Sequence, residues 1–473
     1  MPGLAPSNVV IIHPDLGIGG AERLIIDVAL ALQNRGHRVT IYTSHCDKTH
    51  CFEEARDGTL DVRVRGDTIF PAHLFGRLHI LMASLRQLHL TVSLLSELGS
   101  RDQPSSSRQE KDKTTAPCMR SNLENIQPTS QISHPAYPLL LSFPDQLLAR
   151  RDEGGSLLRL VKSLYRFPFD WFEGWALSAS DRVVANSNFS RGVVRDVFGP
   201  DRLGEVEVVY PCVDTDAKVM PENAESGPLW NGKKILLSIN RFERKKDMAL
   251  AIRAYHGLGA EKRKGTRLVV AGGYDNRVQE NVQYHQELDD LATGLNLRTA
   301  TSKTVVSALS IPDEIDVLFL LSVPTTFKDT LLAQSKLLLY TPINEHFGIV
   351  PVEAMHAGLP VLASNTGGPL ETIVEGVTGW LRDAHAIDEW TTIMDKVLYG
   401  MSQEEVKQME KAGKMRAEKE FSLTAMGDRL EDEISTMLSA NRRPFHGWQQ
   451  VFVILAALAS LLAVAVAILL RAV

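Results

Sequence analysis

Cysteine is scarce in this chain, and its few cysteines form no metal-binding or redox motif. Among 473 residues there are four cysteines, Cys46, Cys51, Cys118 and Cys212, with no CxxC pair and no His/Cys cluster. Structural zinc sites and disulfide frameworks both need cysteines at short, repeated spacings. The sequence therefore favours a reducing compartment, and we expect neither a structural metal nor a cofactor.

A surplus of positive charge is also lacking. The formal net charge is −6, and the hydrophobic and charged fractions, 44% and 23%, are ordinary for a globular protein. Domains that bind nucleic acid carry a basic patch or stripe that neutralises phosphates. We therefore expect no nucleic-acid partner, and the length of the chain suggests two or three domains.

A long uncharged apolar run occurs near the C-terminus, at residues 451–470. The apolar run at residues 9–12 is too short for a signal peptide and follows no basic region. Residues 451–470 contain no charge and are long enough to cross roughly 30 Å of hydrocarbon. Trp448 stands just before them, where an aromatic side chain anchors a helix at the interface. The pattern predicts a C-terminal transmembrane helix and a protein whose bulk faces the cytosol.

The remainder of the chain has the pattern of an α/β protein. It opens with an apolar run at 8–12, a glycine loop at 15–20, a helical pattern at 21–33 and a strand pattern at 37–42. A second series of strands and helices begins at residue 234. Two such halves predict two Rossmann-like domains that face a cleft. The predicted boundaries are 1–212 for the N-terminal domain, 213–232 for a linker, 233–440 for the C-terminal domain and 451–470 for the transmembrane helix.

Apolar residues are rare between residues 99 and 134. This segment includes Gln103-Pro104-Ser105-Ser106-Ser107 and has the composition of a disordered region. A compact domain should not carry a structureless loop of this length in its middle. The segment is either an insertion, or a strand and a helix have been lost from the chain through a mistaken splice junction.

Two carboxylates flank a glycine in residues 344–355. Pro351 suits the first position of a helix, which puts Glu353 in the first helical turn and Glu345 on the loop before it. Eight residues is not a same-face spacing on a helix, so the pair acts together only if the loop folds one carboxylate towards the other. An ordinary helix start with two solvated glutamates is the alternative.

The same loop offers backbone donors for a ligand. The N–H groups of Phe347, Gly348 and Ile349 would lie at the positive end of the predicted helix. Together with the two carboxylates, they suit a ligand that carries sugar hydroxyls and phosphates.

A basic loop, residues 240–247, follows the strand predicted at 234–239. Ligands of parallel sheets bind at the carboxyl ends of the strands. Arg241 offers a planar fork to phosphate oxygens, and Lys246 offers a point charge. Such cations would stabilise a diphosphate leaving group as a glycosidic bond breaks. A solvated run of charges is the alternative.

The glycine loop in the first half is a weaker signal. Gly19 and Gly20 permit a ligand to approach a helix N-terminus closely, but their spacing does not fit the GxGxxG pattern of dinucleotide-binding proteins. His13 and Asp15 beside them are candidates for contacts with sugar hydroxyls, and a structural role for either is the simpler interpretation.

Together, these segments resemble a known family. Residues 13–23, 238–246 and 341–353 are similar to motifs of the retaining glycosyltransferases of the GT-B fold, and specifically to the family-4 mannosyltransferases of the dolichol pathway. The resemblance extends over residues 8–70 and 139–435. It implies GDP-mannose as the donor and a site that uses arginine and lysine where other folds use a divalent cation.

The resemblance also implies a role for each residue. Arg241 and Lys246 would hold the donor diphosphate, Glu353 would bond the ribose, and Glu345 would contact the mannose and help its oxocarbenium-like transition state. We therefore expect Glu345, Arg241 and Lys246 as catalytic residues and Gly19, Gly20, Phe347, Gly348, Ile349 and Glu353 as donor-binding residues.

The implied acceptor is a dolichyl-diphosphate chitobiose that carries one mannose and receives an alpha-1,3 and then an alpha-1,6 mannose. The implied location is the endoplasmic reticulum membrane, with the catalytic domains facing the cytosol. The partners would be GDP-mannose, the lipid-linked oligosaccharide and the lipid bilayer, and other transferases of the pathway are further candidates. Another family-4 transferase that acts on the same lipid is an alternative.

The chain departs from the family at one place. The family has an aspartate-rich strand and then a His-Phe-Pro-Asp motif, whereas this chain has Ser142-Phe143-Pro144-Asp145. The histidine is absent, and the missing strand belongs where the polar segment begins. A catalytically silent GT-B protein that binds nucleotide sugar or partner transferases is therefore the second hypothesis.

Overall fold

A computed structural model of the chain describes residues 5–65, 82, 85–87, 89–94, 138–141, 180–199, 205–215 and 227–439. Contacts between residues divide the chain into two compact units, residues 1–137 and 138–473. The domain boundaries expected from the sequence, at residues 212 and 233, stay predictions.

The first unit contains a parallel sheet and a long helix. Its described strands are β1 (Asn8–Asp15), β2 (Arg38–His45) and β3 (Asp61–Val64), paired in that order. Helix α1 (Gly20–Asn34) connects β1 to β2 and buries Leu24, Ile26 and Leu32, and a short 3-10 turn lies at Glu53–Ala55. The strand–loop–helix–strand opening predicted from the sequence is confirmed.

The second unit contains a small parallel sheet. Its strands are β4 (Pro138–Leu141), β5 (Arg182–Ala185) and β6 (Val206–Val208), paired in that order. Helix α2 (Asn188–Phe198) follows β5, and Ser187 caps its start because the hydroxyl accepts a hydrogen bond from the N–H of Ser190 at 2.9 Å. Val194 and Phe198 of this helix pack into the small core beside β5.

The second unit also contains a large parallel sheet. Its strands are β7 (Lys234–Ile239), β8 (Thr266–Gly272), β9 (Thr299–Ser302), β10 (Val317–Leu321), β11 (Ser335–Tyr340), β12 (Val361–Ser364) and β13 (Gly379–Arg382). Their order is β13-β12-β11-β7-β8-β10-β9, and every pairing is parallel. All residues of β10 and β12 are buried, as expected for a parallel sheet that is covered on both faces.

Helices cover both faces of the large sheet. They are α3 (Met248–Gly257), α4 (Gly259–Arg263), α5 (Gln279–Gly294), α6 (Val305–Leu309), α7 (Thr325–Gln334), α8 (Ile349–His356), α9 (Pro369–Thr372), α10 (Ile387–Asp395) and α11 (Gln403–Phe421), with short turns at Leu229–Gly232, Arg244–Lys246 and Lys396–Gly400. Helix α12 (Leu423–Ser439) follows α11, and its Glu433 pairs with Arg182 of β5. Alternate residues of β7 enter opposite cores, since Leu236 lies in one apolar cluster and Ile235 and Leu237 lie in the other.

The predicted start of the helix that carries Glu353 was wrong. Helix α8 begins at Ile349, so Pro351 is its third residue and Glu353 its fifth. The reason is Gly348, which serves as N-cap with φ 84°, a left-handed conformation that favours glycine. Proline is tolerated in the first turn, where its missing N–H would have had no partner within the helix.

Three segments singled out from the sequence lie outside the described residues: the polar segment 99–134, residues 142–145 and the predicted transmembrane helix 451–470. Of the helices within the described ranges, none combines the length and the apolar character that crossing a membrane requires.

A candidate active site at the switch point of the large sheet

The strand order creates a switch point between β7 and β11. After β7 the chain places β8, β9 and β10 on one side of it, and then places β11, β12 and β13 on the other. β7 and β11 are parallel neighbours, so the loops that follow them leave from the same edge of the sheet. Open α/β sheets bind ligands at such a point, because the two loops run to opposite sides. The two charged motifs of the sequence are these two loops.

The loop after β7 partly buries one of its two predicted cations and exposes the other. Arg244–Lys246 form a single 3-10 turn, and Asp247 adopts a left-handed conformation (φ 41°) before α3. The side chain of Lys246 is 13% exposed, whereas that of Arg241 is 66% exposed and lies 3.3 Å from Glu243. Arg241 therefore stays accessible to a ligand.

Lys246 and Glu345 form an ion pair across the switch point. Nζ of Lys246 contacts Oε2 of Glu345, although 99 residues separate the two in sequence. The hydroxyl of Thr341 donates a hydrogen bond to the carbonyl of Lys246 at 2.6 Å and joins the same two loops. The structure thus brings together two of the three residues that the sequence predicts to be catalytic.

Two glycines after β12 support the loop that carries Glu345. The N–H of Gly368 donates to the carbonyl of Glu345 at 2.7 Å. A Cβ on Gly367 would lie 2.5 Å from that carbonyl oxygen, and a Cβ on Gly368 would lie 2.1 Å from the carbonyl oxygen of Phe347. Such close approach of two backbones is possible only with glycine at these positions.

The carboxylate of Glu345 lies between a cation and a hydroxyl. Burial by itself raises the pKa of Glu345, but the charge and the hydrogen bond of Lys246 outweigh burial and lower that pKa. Tyr340, at the end of β11, interacts electrostatically with the same carboxylate: burial, then Glu345 and the charge of Glu353, raise the pKa of Tyr340 well above its ordinary value. The charges of both carboxylates of the motif therefore raise the pKa of one hydroxyl.

The ion pair predicts a pH-dependent loss of stability in a Lys246→Met variant. Because the pKa of Glu345 is lowered in the folded protein, its ionised form stabilises the wild type above the ordinary pKa, and this contribution is lost as the pH falls through the folded-state pKa. Without Lys246, burial would raise the pKa of Glu345, so ionisation would destabilise the variant as the pH rises. We expect the stability difference between the two proteins to widen as the pH rises from the lowered folded-state pKa of Glu345 to neutral pH, and to reach about 1–3 kcal/mol.

The matched control repeats the comparison in a Glu345→Gln background, where residue 345 no longer carries a titratable carboxyl. Thermal unfolding of the four proteins across this pH range measures the effect. The difference that Lys246→Met causes should then be independent of pH. A difference that widens equally in both backgrounds would show that Glu345 is not its cause.

The backbone N–H groups of Phe347, Gly348 and Ile349 are available at the start of α8. Within the described residues, no group accepts a hydrogen bond from these three. The ring of Phe347 is only 4% exposed; it stacks on Tyr210 with 5.7 Å between centroids and meets Phe421 edge-on at 5.5 Å. The aromatic cluster anchors the loop, and the amides at the positive helix end can bind a ligand oxygen.

Glu353 pairs with a lysine that sequence reasoning missed. Nζ of Lys328, on α7, lies 2.7 Å from Oε1 of Glu353, and the two side chains are 24% and 26% exposed. Tyr340 was missed as well. The sequence contains no local signal for either residue, because Lys328 precedes Glu353 by 25 positions on another helix and Tyr340 ends an apolar strand.

Gly19 and Gly20 begin α1 in the first unit. Gly19 is the N-cap in an extended conformation, and Gly20 is the first helical residue. The carboxylate of Glu22 folds back over this start, since a Cβ on Gly19 would lie 2.2 Å from Oε2 of Glu22. A role for the two glycines in donor binding stays a prediction.

His13 and Asp15, the other candidates of the first unit, have partners there. Asp15 forms an ion pair with Arg86. Burial lowers the pKa of His13, against the opposing charges of Glu22 and Asp15. The ion pair gives Asp15 a structural contact, and a role for either residue in binding sugar hydroxyls stays a prediction.

The site in the second unit combines two kinds of binding group. The cations of Lys246 and Arg241 and the amides that begin α8 suit a diphosphate. The carboxylates of Glu345 and Glu353 accept hydrogen bonds from hydroxyls. Within the described ranges, no group of three His, Cys, Asp or Glu side chains could hold a metal ion.

Known protein families match both halves of the chain. The family described as "Glycosyl transferases group 1" matches residues 219–416, and "Glycosyltransferase Family 4" matches residues 18–93. Among solved structures, a glycosyltransferase from Rickettsia africae covers 93% of this chain and all of its own length, with a TM-score of 0.60 and 16% identity. WaaG, a glycosyltransferase involved in lipopolysaccharide biosynthesis, covers 90% of this chain and 99% of its own length, with a TM-score of 0.54 and 17% identity. These likenesses show the α/β GT-B fold.

Sequence relatives are much closer. The alpha-1,3/1,6-mannosyltransferase of Neurospora crassa is 50% identical over 442 residues, which is 91% of this chain and 90% of the relative. The alpha-1,3/1,6-mannosyltransferase of Saccharomyces cerevisiae is 39% identical over 93% of this chain and 87% of its own length. The chain therefore belongs to the family of alpha-1,3/1,6-mannosyltransferases and is a glycosyltransferase of lipid-linked oligosaccharide synthesis.

Proposed function

We propose that this enzyme transfers mannose from GDP-mannose to a dolichyl-diphosphate oligosaccharide that already carries one mannose. It forms first the alpha-1,3 and then the alpha-1,6 linkage. The observation that carries the proposal is the pair of Lys246 and Glu345, which sets a cation beside a carboxylate at the switch point. A nucleotide sugar presents the complementary groups, a diphosphate and a glycosyl ring, one bond apart.

In the proposed complex the two cations bind the donor diphosphate. Negative charge on the leaving diphosphate grows as the glycosidic bond breaks, and Lys246 and Arg241 stabilise that charge more strongly in the transition state than in the ground state. Once the diphosphate engages Lys246, Glu345 is released to face the positive charge that develops on the mannose.

The remaining predicted residues supply further donor contacts. Glu353 accepts hydrogen bonds from the ribose, and the amides of Phe347, Gly348 and Ile349 hold the sugar hydroxyls. Gly19 and Gly20 of the first unit allow the donor to approach a helix start. The free amides and the partly exposed carboxylate of Glu353 support these assignments.

The proposed location is the endoplasmic reticulum membrane, with the catalytic part on the cytosolic side. The support is the sequence of residues 451–470, which has the length and apolar character of a membrane span. A lipid-linked acceptor would then lie in the same bilayer as the enzyme, which raises the local concentration of both.

The test is a transfer assay with microsomes that carry the full chain, GDP-mannose and a synthetic dolichyl-diphosphate acceptor with one mannose. We expect two successive products, each larger by one mannose, and linkage-specific mannosidases should identify them as alpha-1,3 and then alpha-1,6. Intact microsomes should be active towards donor added outside. Transfer of a different sugar, or a different linkage, would contradict the proposal.

Ser142 favours a second candidate, a silent GT-B protein, because the family has histidine at that place. A silent protein would bind GDP-mannose without forming either product. Measuring donor binding beside transfer separates the two candidates.

A further inference from the structure

Lys328 belongs to neither charged loop of the switch point, yet its ammonium group reaches the second carboxylate of the site. Nζ lies 2.7 Å from Oε1 of Glu353. Both partners project from well-anchored helices. Phe327 and Leu331 of α7 are buried on either side of Lys328, and Val352 and Ala354 of α8 are buried on either side of Glu353. The geometry of the pair is therefore determined by the packing of the two helices.

A lysine at this distance fixes the orientation of the carboxylate of Glu353. A carboxylate has two oxygens with about four acceptor positions, so one bond to Oε1 leaves Oε2 able to accept from a ligand. The side chain of Glu353 is 26% exposed, which leaves part of it in reach of solvent. Because ion pairs that retain exposure contribute little to stability, holding α7 to α8 is a weak reason for this pair.

We propose that Lys328 is a positioning residue that presents the carboxylate of Glu353 to the ribose hydroxyls of the nucleotide. This rests on the proposed function, in which the donor is GDP-mannose and Glu353 contacts its ribose. A charged acceptor forms the stronger class of hydrogen bond with a hydroxyl. An acceptor held in one rotamer also loses less conformational freedom when the ligand binds. Lys328 holds the carboxylate in one rotamer without touching the nucleotide.

The test measures binding of GDP and of its 2′-deoxy and 3′-deoxy analogues to the full-length protein in detergent by isothermal titration calorimetry. Wild type should bind at least one deoxy analogue about tenfold more weakly than GDP. Lys328→Met should weaken GDP binding about tenfold and should bind GDP and both analogues with affinities within about twofold of one another. Lys328→Arg, which keeps the charge, should retain part of the discrimination.

Two further variants separate positioning from general damage. Lys336→Met removes an exposed lysine from β11 of the same unit and should leave all three affinities unchanged. Glu353→Gln should weaken GDP binding, and adding Lys328→Met to it should cause no further loss, because the two residues act through one contact. If Lys328→Met does not fold, Lys328→Gln replaces it with the same expectation.

The outcomes distinguish this proposal from the proposed function. If Lys328→Met weakens GDP binding but still discriminates against the deoxy analogues as wild type does, the lysine is structural and the proposal is overturned. It is also overturned if wild type binds GDP and both analogues equally. If wild type does not bind GDP at all, both the proposal for Lys328 and GDP-mannose as the donor are overturned. If wild type binds GDP as expected but transfers no mannose, the proposed reaction fails and the role of Lys328 stands.

Discussion

Replacing Lys246 with methionine should lower kcat for mannose transfer by about 10²–10³-fold, the usual effect of removing one preorganised group that stabilises charge in a transition state. Lys246 is the partly buried cation of the switch point and already contacts Glu345. In the proposed reaction its charge neutralises the leaving diphosphate, and methionine keeps the length of the side chain without the charge. Initial rates with GDP-mannose and the lipid-linked acceptor measure the loss.

Lys245→Met is the matched control for this variant. Lys245 is the preceding residue in the same turn, but its side chain is 69% exposed and lies 3.1 Å from Glu243. A lysine this exposed is screened by solvent and its ion pair contributes little, so we expect kcat to change by no more than about threefold. Equal losses in both variants would show that the loop needs positive charge in general, and an active Lys246→Met enzyme would remove Lys246 from the mechanism.

Regular structure near the site was predictable because the signals are local. The apolar run at Lys234–Ile239 is confirmed as β7 with both of its predicted ends. Its carboxyl end then places Arg241 and Lys246 at the sheet edge where ligands bind. Parallel strands buried on both faces have continuous apolar sequences, and a charged loop directly after such a strand is therefore easy to recognise.

The start of α8 was harder to predict, because one backbone conformation decides it. Proline at residue 351 favours a helix beginning there, but it is equally compatible with a helix that begins two residues earlier. Gly348 at φ 84° turns the chain into the helix before Pro351 is reached. Glycine permits this conformation without requiring it, so the sequence is compatible with both starts.

The partners of the two glutamates could not be predicted, because they come from other elements. Tyr340 and Lys328 lie in segments whose own patterns are those of a buried strand and an amphipathic helix. Only the folded chain shows that one hydroxyl and two lysines surround Glu345 and Glu353. The motif therefore identified the carboxylates, whereas the groups that contact them required the tertiary structure.

Gly368→Ala should disrupt the site without removing any of its functional groups. The φ of Gly368 is −57°, which alanine adopts freely, so the effect is purely steric. The added Cβ would lie 2.1 Å from the carbonyl oxygen of Phe347 and 2.3 Å from its Cα. These are backbone atoms, which cannot rotate away as a side chain would. We expect a loss of about 3 kcal/mol or more in unfolding free energy and a fall of about 5–10 °C in the melting temperature.

The same clash should weaken GDP binding and transfer well beyond the loss of folded protein. Relieving it moves the backbone between Glu345 and Gly348, which carries both the carboxylate and the free amides, and a displacement of about 1 Å near reacting groups can cost 10²-fold in rate. Gly294→Ala is the matched control, because Gly294 ends α5 in the same unit and a Cβ there would meet nothing within 4 Å. Thermal unfolding and GDP titration measure the melting temperature and the GDP affinity of both variants. A Gly368→Ala protein that melts and binds GDP like wild type would mean that the glycine pair does not hold the catalytic loop in place.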